Sequence, residues 1–213
     1  LAEEKKKRVY VFCEDVAASG GYYLAVAGDE IYADPSSIIG SIGVIVQTFS
    51  LAGTMRMLGI DAKAVVSGPY KDMASPLAPL RDKDMAELQR LVDDHYEGFV
   101  KVVRKGRSSL SEQQVRQLAD GRVWTGTEAL ANGLVDATGY MSDAILAAKA
   151  ASGSRKAQVV IYDRPFGYRA NAYSQLPATG ASQINLLNVN LPDILAASGP
   201  QFMYLWTSGL AND

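Results

Sequence analysis

Histidine and cysteine each occur once in the 213 residues, as His95 and Cys13. A single cysteine excludes an internal disulfide and a cysteine-based metal site. A single histidine argues equally against a multi-histidine metal centre. Cys13 lies in an apolar, strand-like run and reads as a buried structural thiol. Charge of one sign is also scarce: 21 basic and 23 acidic side chains leave a formal net charge of −2. With no basic face, nucleic acid is not an expected partner. No run of 18 or more apolar residues and no secretory leader pattern is visible. The chain opens at Leu1, without an initiator Met, in what reads as the middle of a helix ending near Arg8. A preceding segment is therefore expected, and a leader or anchor would lie there. What the chain has is 48% hydrophobic residues, enough for one large core.

The pattern alternates strands and helices. Strands are expected at Val9–Cys13, Glu30–Ala33, Ile38–Gln47, Ala62–Val66, Gly121–Trp124 and Gln158–Tyr162. Ile38–Gln47 and Ala62–Val66 are apolar enough to be buried on both faces. Helices are expected at Gly20–Ala27 with Gly28 as C-terminal cap, at Phe49–Leu58 ending at Gly59, and at Asp82–Lys105. Ser111–Ala119, opened by Ser111, Thr125–Asn132 and Met141–Ala151 complete the set. Asp15–Ser19 reads as a tight loop of small residues, Asp34–Ser37 as a turn, and Ser67–Leu80 as a long Pro- and Gly-containing loop. Such alternation predicts an α/β domain with a largely parallel sheet and flanking helices over residues 1–162. Residues 163–213 break the pattern and read as an extension that packs on the core or on a neighbouring subunit.

Ala17-Ala18-Ser19-Gly20-Gly21 puts a hydroxyl between a strand and a short helix. The helix dipole favours developing negative charge there, small neighbours admit a substrate backbone, and the Gly20 N–H is a candidate oxyanion donor. Ser19 on its own reads more simply as a helix N-cap. A nucleophilic serine needs a base, and nothing marks His95, inside a long helix, for a triad. Lys71, in Gly68-Pro69-Tyr70-Lys71-Asp72, is the remaining option. A lysine accepts a proton only when neutral, which burial away from water favours. The simpler reading is a solvated loop lysine paired with Asp72.

Asp15-Val16-Ala17-Ala18-Ser19-Gly20-Gly21-Tyr22-Tyr23-Leu24-Ala25, continued by Asp29-Glu30-Ile31-Tyr32-Ala33-Asp34-Pro35 and Ile39-Gly40-Ser41-Ile42-Gly43-Val44, resembles the nucleophile region of the signal peptide peptidase A family. Gly68-Pro69-Tyr70-Lys71-Asp72 resembles the stretch carrying that family's lysine, 52 residues after Ser19 as in its single-length bacterial members. Gly121-Arg122-Val123-Trp124-Thr125-Gly126 and Gly133-Leu134-Val135-Asp136 resemble its later signature. The likeness spans roughly residues 1–150. It implies a Clp protease/crotonase-like fold and a serine endopeptidase with a Ser-Lys dyad: Ser19 the nucleophile, Lys71 the general base. It places Ser41, 22 residues after Ser19, where the family has a second serine that orients the lysine amine. Without the resemblance Ser41 reads as a buried hydroxyl satisfied by backbone.

The resemblance also implies no metal or organic cofactor, cleaved signal peptides and other extended apolar peptides as substrates, and a ring-shaped homo-oligomer whose sites are shared between protomers. It implies a bacterial cytoplasmic membrane location with an extracytoplasmic catalytic domain, the membrane association arising from a segment not in this chain. The family's N-terminal strand, and a Ser-Pro-Gly-Gly-type loop that supplies part of its oxyanion hole, have no counterpart here. Three rival readings are a phage-type prohead or capsid peptidase of the same family, a catalytically idle assembly or scaffold protein, and a crotonase-type enzyme handling acyl-CoA. The joint presence of Ser19, Lys71 and Ser41 counts against the second. The want of paired oxyanion donors and a marked carboxylate counts against the third.

Overall fold

The computed structural model describes residues 7–153, 157–160 and 162. The fold begins with two short strands meeting at a bend, β1 (Tyr10–Cys13) and β2 (Val16–Ala18), followed by helix α1 (Gly20–Ala25). The chain then repeats the bent pair as β3 (Glu30–Ala33) and β4 (Ile38–Gly40). The second pair stacks in parallel on the first, with Tyr10 opposite Glu30 and Cys13 opposite Ala33. Val16 lies opposite Ile38 and Ala18 opposite Gly40. The bend is satisfied across the stack. Asp34 N–H donates to the Cys13 carbonyl at 3.0 Å, Ile38 N–H to Asp15 O at 2.8 Å, and the buried Ser37 Oγ to Cys13 O at 2.7 Å.

The remaining elements close the two sheets and cover them. After α2 (Ala52–Met57) come the long helix α3 (Asp82–Gly106), α4 (Glu112–Leu118) and β5 (Val123–Thr125). α5 (Gly126–Ala131), β6 (Ala137–Thr138) and α6 (Met141–Ser152) complete the order. The sheets run β1-β3-β6, wholly parallel, and β2-β4-β5, in which β5 is antiparallel to β4. The core gathers Cys13, Tyr22, Ile31, Ile39, Phe99, Val103 and Leu134. Burial pushes the Cys13 thiol up to about 11, as expected of an inert structural cysteine. The later signature anchors this core. The Arg107 guanidinium, 8% exposed, forks onto both oxygens of Asp136 at 2.8 Å, and its Nε donates to Gly133 O. Asp136 Oδ2 also accepts from Ile31 N–H, and Tyr22 OH donates to Leu134 O at 2.7 Å.

This is the α/β architecture with predominantly parallel pairing that the sequence predicts. Several boundaries differ. Asp15–Ser19 is not a loop throughout: Val16–Ala18 is β2, since three small residues fit a ladder as readily as a turn. Gly28 does not cap α1 with positive φ; the C-cap is Val26, and a side chain at Gly28 would meet Val11 Cγ2 at 2.5 Å. The Ile38–Gln47 run forms a strand only to Gly40, because Gly40 (φ 105°) and Ser41 (φ 48°) turn the chain out of the ladder. Ala62–Val66 is neither a strand nor buried: the segment is exposed. α2 is shorter than expected, ending at Met57 with Leu58 as C-cap, and Gly59 follows with φ 71°. Ser111 and Thr125 cap α4 and α5 through reciprocal bonds with Gln114 and Glu128. Lys7 and Arg8 are not helical, and Gln158–Val160 form no strand. The expected helix before Lys7 and the extension over 163–213 lie outside the described residues.

Candidate active site

Ser19 occupies the corner where β2 becomes α1. Its backbone sits at φ 53°, ψ −114°, a region costly for any residue with a Cβ. The residue is 2% exposed. It stands at the N-cap position of α1 yet makes no side-chain cap bond, unlike Ser111 and Thr125. The N-cap reading therefore fails on geometry. A cap needs an extended backbone and a hydroxyl turned onto the helix N–H groups; Ser19 has neither. Gly20, the candidate oxyanion donor, is the first residue of α1 and is half-buried.

Ser41 repeats the arrangement one layer along. Because β2 and β4 pair in register through Ala18 and Gly40, the next residues, Ser19 and Ser41, follow at equivalent positions. Both have positive φ, 53° and 48°. The Ser19 N–H donates to Gly40 O at 2.7 Å, and the Ser41 N–H donates to Arg122 O at 2.8 Å. Gly40 is tightly enclosed: a Cβ there would meet Trp124 Cδ1 at 3.0 Å and Arg122 O at 3.1 Å. The buried Trp124 Nε1 has no hydrogen-bond partner among the described residues. A cavity of about 440 Å³ opens beside Ser41, walled by Val44, Ile45, Val92 and Tyr96 together with the carboxylates Asp93 and Asp120.

Lys71 is placed differently. It lies in the long loop, exposed, in a run of turns closed by Lys71 N–H to Gly68 O at 3.2 Å and Met73 N–H to Tyr70 O at 3.1 Å. Burial, which a neutral lysine favours, is not provided here. Among the described residues no hydrogen bond joins its amine to Ser19, Ser41 or any other group. The expected pairing with Asp72 is also absent. Asp72 is taken by Arg81, whose Nη2 donates to Asp72 Oδ1 at 2.7 Å. That bond holds the Asp72 carboxyl below the usual carboxylate range. The structure thus brings Ser19, Gly20 and Ser41 together and, among the described residues, joins Lys71 to none of them by a hydrogen bond. His95 is exposed on α3. Among the described residues no group of His, Cys, Asp and Glu could hold a metal ion.

Sequence reasoning missed Gly40 and Arg81. The equal offset of Ser19 and Ser41 across two similar segments was the available signal for Gly40. Arg81 carries no motif; only the loop's own fold reveals it.

A stacked, bent-strand α/β core with a strained serine at a strand-to-helix corner defines the class: a domain of Clp protease/crotonase-like fold. Residues 2–155 match the model of Peptidase family S49. The chain belongs to that family of serine peptidases. It is 38% identical over 154 residues to a putative signal peptide peptidase SppA of Enterococcus faecium, covering 72% of this chain and 44% of that protein. It is 34% identical over 169 residues to the chloroplastic serine protease SPPA of Arabidopsis thaliana, covering 78% of this chain and 24% of that protein. A stretch of the Na(+)/H(+) antiporter NhaA of Brucella melitensis is 40% identical over 141 residues, covering 66% of this chain but 19% of that protein. That name carries no argument for this chain. The chain thus spans less than half the length of these relatives. Among the described residues no helix is long and apolar enough to cross a membrane.

Proposed function

We propose that this chain carries the nucleophile and the general base of a serine endopeptidase that cuts extended, largely apolar peptides, cleaved signal peptides among them. Ser19 attacks the scissile carbonyl and forms an acyl-enzyme, Lys71 takes its proton, Ser41 orients the lysine amine, and the Gly20 N–H donates to the oxyanion. The observation that carries the reading is Ser19 itself: a strained, nearly buried serine whose hydroxyl is not spent on capping its helix. Strain of this kind persists where surrounding structure over-determines it and clusters at reacting groups. The cavity beside Ser41, lined by Val44, Ile45 and Val92 and also by the carboxylates of Asp93 and Asp120, is large enough for a peptide side chain.

The exposed, unbonded Lys71 favours one further element of this reading. Serine and lysine of a working site come from neighbouring copies of the chain in a ring, and the ring excludes folded proteins. The substrate class and a membrane-linked, extracytoplasmic setting draw on the name of the Enterococcus relative and on the family resemblance.

A fluorophosphonate probe tests the nucleophile. One adduct per chain is expected on the full-length protein, mapped by mass spectrometry to Ser19 and lost in Ser19→Ala. Labelling that persists in the variant removes Ser19 from the mechanism.

A further inference from the structure

The loop around Lys71 has no ladder to hold it, and the charged groups beside it come from the start of α3. Arg81, at the N-cap position, spreads its guanidinium over three partners. It donates to both oxygens of Asp72 (2.7 and 3.4 Å), to both oxygens of Asp84 (2.6 and 3.0 Å) and to Pro69 O (3.3 Å). Asp84 is 2% exposed, so one end of this fork is fixed in the body of the domain. Lys83 adds a second hold: its Nζ donates to Pro69 O at 3.2 Å and lies 5.4 Å from the Tyr70 ring centroid. The titratable and charged groups gathered here are Tyr70, Lys71 and Asp72 on the loop, Arg81 at the N-cap, and Asp82, Lys83 and Asp84 in the first turn of α3. Both chain neighbours of Lys71 are gripped, while among the described residues no bond holds the Lys71 amine.

Asp72 is the counter-ion that chain connectivity would offer Lys71. A carboxylate within about 4–6 Å favours the ammonium over the amine by one to three pH units. A bidentate guanidinium competes well for such a carboxylate, because its planar fork satisfies both oxygens at once. We infer that Arg81 is a positioning residue for Lys71: by holding Asp72 in its own fork it withholds that counter-ion from the lysine and leaves the amine free to lose its proton. The inference rests on Lys71 being the base.

The test is the pH profile of kcat/KM for peptide cleavage by the full-length protein. Arg81→Met frees Asp72. The rising limb is expected to move to higher pH by about one unit, an approximately tenfold loss on its acid side. Adding Asp72→Asn is expected to return the limb to its original place. A limb that stays put in Arg81→Met overturns the inference. So does a shift that Asp72→Asn fails to reverse, since that is what simple loosening of the loop would give. Should Arg81→Met not fold because Asp84 is left buried and unpaired, Arg81→Met/Asp84→Asn poses the same question with that charge removed. Lys71→Ala separates the two levels. Full activity there removes the base assignment and this inference with it. A dead Lys71→Ala beside an unmoved limb removes this inference alone.

Discussion

The serine side and the lysine side of the candidate site are built in opposite ways. Ser19 and Ser41 sit at the ends of paired strands, in a frame of backbone bonds to Gly40 and Arg122, where a Cβ at Gly40 would crowd Trp124 and the Arg122 carbonyl. Residues 60–71 have almost no such frame: Ile60 and Val65 are exposed, and the loop depends on side chains from α3. A nucleophile that must be strained needs a rigid mount. A base that must meet a serine outside its own packing can ride on a loop. The first half should break under small backbone changes, and the second should tolerate them while failing under changes of charge chemistry.

The largest effect is expected from charge chemistry on the lysine side. Lys71→Arg keeps a cation in the loop, but a guanidinium stays protonated and cannot act as base. Peptide cleavage should fall by roughly 10³-fold or more, while His95→Ala retains activity. Mixing dissociated Ser19→Ala and Lys71→Ala copies sharpens the point. If serine and lysine come from different copies in a head-to-tail ring, about a quarter of the sites recover, one half times one half. Confirmed subunit exchange with no recovery would place both groups in one chain.

How far this contrast was legible in sequence follows the same line. Elements with local signals read well: α3 from its amphipathic period, α4 and α5 from capping residues, β3 from its bounds. Ser19 and Ser41 were legible as residues, and so was their offset. Their strained backbones were not, because positive φ at a serine has no compositional mark and is imposed by the stacked strand. Ile38–Gln47 misled because hydrophobicity shows that a segment can be buried, not where its ladder stops. Ala62–Val66 misled for the related reason that an apolar run need not find a surface within its own chain. β6 has two residues, too few for any period. The position of Lys71 depends on Arg81 reaching back nine residues, a contact that no spacing rule marks.

Gly40→Ala breaks the serine side. The new Cβ would meet Trp124 and Arg122 O at 3.0–3.1 Å, on a backbone at φ 105°. Ser19 N–H hangs on the Gly40 carbonyl, so the nucleophile moves with it. A misplacement of about 1 Å can cost on the order of 10²-fold in rate. Fluorophosphonate labelling of a folded Gly40→Ala protein should slow by about that factor. Unchanged labelling would mean the mount is less rigid than its contacts indicate.

A smaller effect is expected where the two sides share a foundation. Burial works against a charge on Asp136, but the Arg107 fork, the Ile31 N–H and the attraction of the guanidinium outweigh it, so the carboxyl titrates below its usual range. A carboxylate depressed in the folded state stabilises above its unfolded pKa of about 3.9 and loses that contribution as pH falls towards the folded value. Asp136→Asn should cost about 1–2 kcal/mol at pH 7, the value of charge-assisted bonds discounted for a side chain that is 35% exposed. The difference from wild type should shrink as pH is lowered from 5 to 3. Equal losses at both pH values would show that the ion pair contributes nothing and only shape matters.

The smallest effect belongs to the lysine side again, and it is the sharpest check on the comparison. Val65 is fully exposed in a segment with no strand partner, so replacing it removes no packing within the chain. Val65→Thr keeps the β-branched shape and changes only the polarity of one exposed methyl. Exposed substitutions away from caps, cores and networks usually fall within about 0.5 kcal/mol. For a domain of this size that is a shift of roughly 1–2 °C in Tm. Thermal melts of the dissociated chain should therefore superpose. By contrast, Ile39→Thr, on the serine side, puts a hydroxyl into a wholly buried position and should lower stability by about 2 kcal/mol or more. If Val65→Thr proves as costly as Ile39→Thr, residues 60–66 are packed against this chain after all, and the two halves of the site are mounted alike.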